Sequence, residues 1–369
     1  MTTPLWLWQQ ADWPHFTWQE STVQPKLRAV HHRLGLLSGK ASLVAADEIF
    51  SLDALLANIV ASSAIESEKL DIYSVRSSLA RQLGINIDSP VAVSDKSFGV
   101  ASLMKDAVTE WRQPLTLNTL LQWHYWLFQG QTSLMHQIEG GTLRGEATMQ
   151  IVSGPIDKPK VHYQAPARGH IDAELKLFIH WFNQSLQDPL LDPIARAAIT
   201  HLWFITLHPF EDGNGRITRA LTDRALAQAD QQSIRLYAMS EAILKQRSQY
   251  YEVLEATQKG GLDITLWISW FCDALLEALA DALNKIERTL LKAKFWQQHS
   301  DKPLLEPQRK VLNRLLDGDF ALGINATQYQ RVAKVSKATA TRHLTALIEL
   351  NVLIKLPGGG RSTRYAIAE

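Results

Sequence analysis

The chain has 369 residues, 46% of them hydrophobic and 20% charged, with a formal net charge of +1 and a single cysteine, Cys272. That length carries two or three domains with a substantial core, and one cysteine excludes an intramolecular disulfide. Residues 1–9 hold no charged leader and no stretch approaches 18 uninterrupted apolar residues, so a signal peptide, a transmembrane helix and a membrane partner are not expected, and a cytoplasmic location is.

In chain order, Trp6, Trp8, Trp13 and Trp18 are spaced by prolines and polar residues. They predict an irregular arm packed on the main body by its aromatics; a partner-binding surface is the alternative. From Ser51 the spacing turns helical: Leu52, Leu55, Leu56, Ile59 and Val60 share one face, which leads into Ser62-Ser63-Ala64-Ile65-Glu66-Ser67. Residues 101–138 and 171–186 are mainly helical by pattern. Between them, residues 149–155 and 161–163 are short extended runs that predict a hairpin. Asp192-Pro193 marks a helix start, an N-cap followed by proline. Ile194, Ala197, Ala198, His201, Leu202 and Ile205 form its apolar stripe, with His201 a core or boundary residue, and the helix ends near Leu207.

Residues 208–219, His-Pro-Phe-Glu-Asp-Gly-Asn-Gly-Arg-Ile-Thr-Arg, are the most informative stretch. A histidine that can act as base (His208), a carboxylate (Asp212), a glycine-flanked turn and two arginines fall within twelve residues. A turn that opens into a helix presents free N–H groups and a positive dipole end, both suited to phosphate. Arg216 and Arg219 are three apart and share a helix face, and their guanidinium forks match phosphate oxygens. Leu221, Ala225 and Leu226 continue a buried helix. Tyr250, Tyr251 and Gln258 follow; the tyrosines fit ligand contact and core equally. Residues 264–298 form one or two long helices, and Cys272 among them is a core residue.

The tail is basic. Residues 301–369 hold eleven Lys/Arg against six Asp/Glu, a net of +5 that leaves −4 on the rest and suggests a separate task. Helices are predicted over 306–316, 327–334 and 336–350, then strands at 352–356 and 363–367 around Gly358–Gly360. This order resembles a winged helix-turn-helix. Lys337, Thr339, Thr341 and Arg342 of its third helix and Arg361 and Arg364 of its wing would make DNA contacts over 336–364; protein docking is the alternative use of such a fold.

The stretch 208–219 resembles the signature of the Fic family, H-P-F-x-[D/N]-G-N-G-R-x-x-R, at every fixed position. The resemblance implies a mainly α fold: a Fic helical core with a small β-hairpin flap. The boundaries expected are 1–100 for an N-terminal module with an inhibitory helix, 101–262 for the catalytic core, 263–300 for a helical linker and 301–369 for the winged helix. The tryptophan-rich start is similar to a module found before Fic domains. The implied activity is transfer of AMP from ATP to Ser, Thr or Tyr hydroxyls of a target protein, the chain itself included. His208 would be the base and Asp212 would hold Mg²⁺. Gly213, Asn214 and Gly215 would cradle the α- and β-phosphates, Arg216 and Arg219 would hold the β- and γ-phosphates, and Phe210 would anchor the loop. Further nucleotide contacts are implied for Ile151, Val152, Ser153 and Gly154 of the flap, for Ile217 and Thr218, and for Tyr250, Tyr251 and Gln258. The flap, 149–163, would dock the target as an added strand. Ser62 and Glu66 resemble the inhibitory motif [S/T]-x-x-x-E-[G/N], with Ser67 departing at the last place; Glu66 would pair with Arg219 and block productive ATP binding. A homodimer is expected. The rival readings are a DNA-binding regulator that only senses nucleotide, and a Fic enzyme that transfers or removes another phosphate-linked group.

Overall fold

The computed structural model describes residues 6–44, 48–129, 138–155, 158–232, 236–358 and 363–368. The chain divides into two compact units, residues 1–39 with 45–282 and residues 40–44 with 283–369. In chain order the helices are α1 (Glu20–Val44), α2 (Glu48–Ile65), α3 (Ile72–Leu83), α4 (Asp95–Thr109) and α5 (Leu117–Phe128). A hairpin of β1 (Gln150–Ser153) and β2 (Lys160–Gln164) follows, then α6 (Arg168–Gln184), α7 (Pro193–Leu207), α8 (Asn214–Asp230), α9 (Met239–Lys245), α10 (Arg247–Gln258) and α11 (Thr265–Gln298). The last elements are α12 (Glu306–Leu316), α13 (Ala326–Ala333), α14 (Lys337–Glu349), β3 (Leu353–Lys355) and β4 (Tyr365–Ile367). The protein is mainly α, as expected.

The first unit is built around α7 and α8, which pack on each other. Asp192 caps α7 by accepting the Ile194 N–H at 2.8 Å, with Pro193 in the first turn. Every residue of α7 from Ile194 to Leu207 is buried, so the expected stripe is a helix covered on all sides, as befits a central core element. His201 is fully buried, with Nδ1 2.9 Å from Thr222 Oγ1 and Nε2 3.0 Å from Tyr250 Oη. Burial pushes its pKa down to about 3.

Helix α2 is, among the described residues, the one long and apolar enough to cross a membrane by length and composition. Here that apolar surface packs against α9, α3, α4 and α8. Buried Asn58 pins it, donating to Asp223 of α8 and accepting the Ser240 N–H of α9 at 2.8 Å. The tryptophan arm lies on the body as predicted. Trp6 meets Tyr163 edge-on at 5.4 Å, and the Trp8 and Trp13 indoles donate to the Gln164 carbonyl and to Glu174.

In the second unit α12, α13 and α14 surround Val311, Leu312, Tyr329, Leu344 and Leu347, and β3 pairs with β4 in antiparallel register. Ser336 caps α14 by accepting the Thr339 N–H at 3.2 Å. Lys337, Thr341 and Arg342 are exposed on α14, and Thr339 is half-buried. Of the two wing arginines, Arg361 lies outside the described residues, and Arg364 is already engaged, donating to the Gly323 carbonyl at 2.8 Å.

Candidate active site

The loop between α7 and α8 is held from several sides. His208 caps α7 in the left-handed region, φ 47, a conformation that β-carbon-bearing residues take at a cost. Arg144 holds it there: its Nε donates to the His208 carbonyl at 2.8 Å, its backbone N–H donates to the Pro209 carbonyl at 3.0 Å, and its guanidinium also reaches the Pro166 carbonyl. Phe210 is fully buried and stacks on His124 at 4.2 Å. The Asn214 side chain spans the turn, accepting the Phe210 N–H at 3.0 Å and donating to the Phe210 carbonyl at 2.8 Å. Both ends of this amide are used, so Asn214 holds the loop with its side chain.

His208 Nδ1 lies 3.2 Å from the Ile205 carbonyl oxygen. A carbonyl can only accept, so the proton sits on Nδ1 and Nε2 carries the lone pair. Burial pushes the imidazole pKa down to about 4, helped by the Arg144 charge and opposed by the Ile205 bond, Glu66 and Asp212. The ring is therefore neutral at pH 7.

Gly213, φ 82, is the N-cap of helix α8, and no side chain caps the first amides of that helix. Those N–H groups and the dipole end make an anion site. A Cβ at Gly213 would meet the Phe128 ring at 3.0 Å, and one at Gly215 would meet Glu66 Oε1 at 2.1 Å. A carboxylate thus stands against the start of α8, and Gly215 gives it room.

Glu66 arrives there because α2 ends in a tight left-handed turn. The Glu68 N–H donates to the Ser63 carbonyl at 2.9 Å and the Ser67 N–H to the Ala64 carbonyl at 2.9 Å, with Ser67 at φ 61. These two bonds with a left-handed residue form a Schellman motif, which favours glycine or asparagine at that place. Ser67→Gly is expected to relieve the backbone cost and stabilise the protein by about 1 kcal/mol, read as a small rise in Tm; a fall would show that the Arg247 bond to Ser67 Oγ, at 3.2 Å, outweighs the backbone term.

Glu66 Oε1 accepts from Arg219 Nη2 at 2.8 Å, while Ser62 takes Arg219 Nε through its hydroxyl and Nη2 through its carbonyl, at 2.8 and 2.9 Å. Burial pushes the Glu66 carboxyl up, but the Arg219 charge and hydrogen bond, with Arg216 and His208, outweigh it and leave the pKa below the ordinary value. Arg219 is buried, and its Nη1 has no hydrogen-bond partner among the described residues. Arg216 is engaged as well: Nη1 pairs with Glu68 at 2.6 Å and Nη2 lies 3.4 Å from Asp212, while Glu68 also binds Lys96 at 2.6 Å.

A cleft of about 740 Å³ gathers the chemistry. Among the predicted site residues, Glu66, Ile151, Val152, Ser153, His208, Asp212, Gly213, Asn214, Gly215, Tyr250, Tyr251 and Gln258 line it. Gly154, Arg216, Ile217, Thr218 and Arg219 do not. Ile217 and Thr218 are fully buried, Thr218 donating back to the Asn214 carbonyl at 2.7 Å, so their side chains do not reach a nucleotide. Tyr250 is a core residue beneath the cleft, whereas Tyr251 is 40% exposed at its wall. The sequence reading leaves out Arg144, His124 and Glu68, and also His162 and Glu255, which line the cleft.

Residues 114–226 match the Fic/DOC family, and residues 6–85 match a domain of unknown function, DUF4172. Residues 114–226 are a Fic/DOC-family domain. The Fic domain therefore spans α5 to α8 and the hairpin between them, and Glu66 reaches it from outside that segment. The chain is 28% identical over 229 residues to a protein adenylyltransferase Fic of Drosophila grimshawi, covering 62% of this chain and 42% of that protein. It is 25% identical over 258 residues to one of Culex quinquefasciatus, covering 69% and 47%. The chain thus spans less than half the length of these curated relatives. A solved Fic family protein from Desulfovibrio desulfuricans G20 superposes with a TM-score of 0.52 at 19% identity, over 93% of this chain and 96% of that one. This likeness concerns the fold alone.

Proposed function

We propose that the chain transfers AMP from ATP to a hydroxyl of a protein, itself included, and that Glu66 restrains the reaction. The observation that carries this reading is the neutral His208, with its proton fixed on Nδ1, in the same cleft as the uncapped start of α8. The attacking hydroxyl gives its proton to Nε2. The first amides of α8 hold phosphate oxygens, and Arg219 adds its unpartnered donor once Glu66 is displaced. This is catalysis by positioning, charge stabilisation and one base.

Among the described residues no three His, Cys, Asp or Glu side chains gather as a metal site. Mg²⁺ on a nucleotide needs only one or two carboxylates beside phosphate oxygens and water. Asp212 fits: its side chain is 60% exposed at the cleft, with one oxygen on the Gly213 N–H. Bound there, Mg²⁺ would offset phosphate charge.

The exposed β1 residues Ile151 and Val152 suit a target segment added as a strand. A homodimer and a cytoplasmic location belong to the same proposal. For the second unit, the exposed Lys337, Thr341 and Arg342 support DNA as a partner. Binding to duplex DNA should then weaken steeply with salt as counterions are released, and Arg342→Ala should lower it; no binding at low salt favours protein docking.

Incubating the full chain with ATP and Mg²⁺, followed by intact-mass and peptide analysis, tests the main reading. Covalent AMP supports it, whereas a gain of phosphate alone, or no gain on the chain or on added proteins by both wild type and Glu66→Gly, overturns it. A base with its pKa near 4 also sets a pH profile. Transfer should stay level from pH 8 to about 5 and fall as His208 takes its proton near 4. Circular dichroism on the same samples separates this titration from unfolding; a half-maximal point near 6.5 in folded protein would show that burial does not depress the His208 pKa in the working site, and a profile level through both 6.5 and 4 would remove His208 as the base.

A further inference from the structure

Ser153, His162 and Glu255 form a hydrogen-bonded row in the wall of the cleft, outside the signature loop. Ser153 Oγ lies 2.6 Å from His162 Nε2, and His162 Nδ1 lies 2.7 Å from Glu255 Oε2. A carboxylate accepts from Nδ1–H, which leaves Nε2 to accept the serine proton. Lys259 donates to the other Glu255 oxygen at 2.5 Å. Burial pushes the Glu255 carboxyl up, but the bonds from Lys259 and His162 outweigh it, so it titrates below the ordinary value and stays ionised.

The backbone places His162 there. Ile151 pairs with Tyr163 and Val152 with Val161, so His162 is the extra residue of a β-bulge. Bulges re-aim a side chain and are frequent beside active sites. This one brings the imidazole between Ser153 at the end of β1 and Glu255 on α10. Such a base, oriented by a third group, is what makes a serine hydroxyl nucleophilic.

We propose that Ser153 is an acceptor of the nucleotidyl group handled in this cleft, activated by His162 and Glu255, so that the chain marks its own flap. The inference rests on the function proposed above. Ser153 Oγ attacks the α-phosphorus of ATP. The Oγ–P bond forms as the bond from phosphorus to the bridging oxygen breaks, and pyrophosphate leaves. The serine proton passes to His162 Nε2 and from there to water, while Glu255 holds the transient imidazolium. The product is a serine–AMP phosphodiester on an exposed residue.

Two measurements on the full chain test this. In the first, the protein is treated with a fluorophosphonate, which reports an activated serine without any nucleotide. Ser153 should be labelled well above other serines, and His162→Gln should slow this by about 10²–10⁴-fold, with Glu255→Gln slower than wild type as well. In the second, the chain is incubated with Mg·ATP and its AMP-bearing peptides are mapped. AMP on Ser153, lost in His162→Gln, supports the proposal. Fluorophosphonate labelling no faster than at other exposed serines overturns the activation. AMP on other residues but not on Ser153 overturns the acceptor and leaves the proposed function standing. Labelling of Ser153 with no AMP on any residue or added protein, in wild type and in Glu66→Gly alike, overturns the acceptor and the proposed function.

Discussion

His208→Ala is expected to lower AMP transfer by about 10²–10⁴-fold, the usual loss when a positioned base is removed. Nucleotide should still bind, because in the proposed reading the phosphate contacts would come from the amides of α8 and from Arg219, not from the imidazole. The backbone complicates this variant. Residue 208 sits at φ 47, and Arg144 grips its carbonyl; asparagine tolerates that region better than alanine. His208→Asn should therefore fold at least as well as His208→Ala and be equally inactive. Steady-state transfer to an added protein, scored apart from AMP on Ser153, and nucleotide titration on both variants check this. Near-normal transfer by either one would remove the base role, and lost binding in both would make His208 a structural cap.

How much of this is legible in the sequence depends on how local each signal is. The start of α7 is legible because Asp192 and Pro193 act within one turn, and the cap at Ser336 is legible for the same reason. Helix α1 is harder to see: Pro25, Gly35 and Gly39 weaken its local pattern, although Val23, Leu27, Val30, Leu37 and Ala41 are its buried stripe. Ile217 and Thr218 belong to the signature stretch, yet α8 turns both inward, since helix geometry decides which of successive residues faces a ligand. Arg144 meets His208 across 64 residues from a segment with no periodicity. His162 is hidden because its orientation comes from a bulge, and register is a property of two strands together. The Glu66–Arg219 pair spans 153 residues, and only the resemblance to the inhibitory motif makes it readable. Nothing comparable marks Glu68, so the pairing of Arg216 emerges only in three dimensions.

Glu66→Gly is expected to raise self-modification and target modification by roughly 10- to 150-fold. A charge-assisted pair in a partly dry site is worth about 1.5–3 kcal/mol, and that energy converts to such a bias between restrained and competent states. Two features place the effect within this range. Glu66 is a third exposed while Arg219 is 2% exposed, so solvent weakens the pair on one side. Ser67 sits at φ 61, and the backbone cost of that turn is expected to weaken the hold on the carboxylate and keep the gain toward the low end. The deletion also has a price in stability. The sequence alone suggests that folding is left nearly intact, but the buried Arg219 guanidinium would keep only its bonds to Ser62, and a buried charge that loses its partner is destabilising. The variant should therefore melt below wild type without nucleotide. Mg·ATP should raise its Tm by more than it raises that of wild type, because a phosphate replaces the missing carboxylate and need not displace one. Transfer rates and melting curves for both proteins, each with and without Mg·ATP, decide the matter. Equal rates would overturn the inhibitory role of Glu66, and an equal nucleotide-induced Tm shift would mean that carboxylate and phosphate do not compete for Arg219.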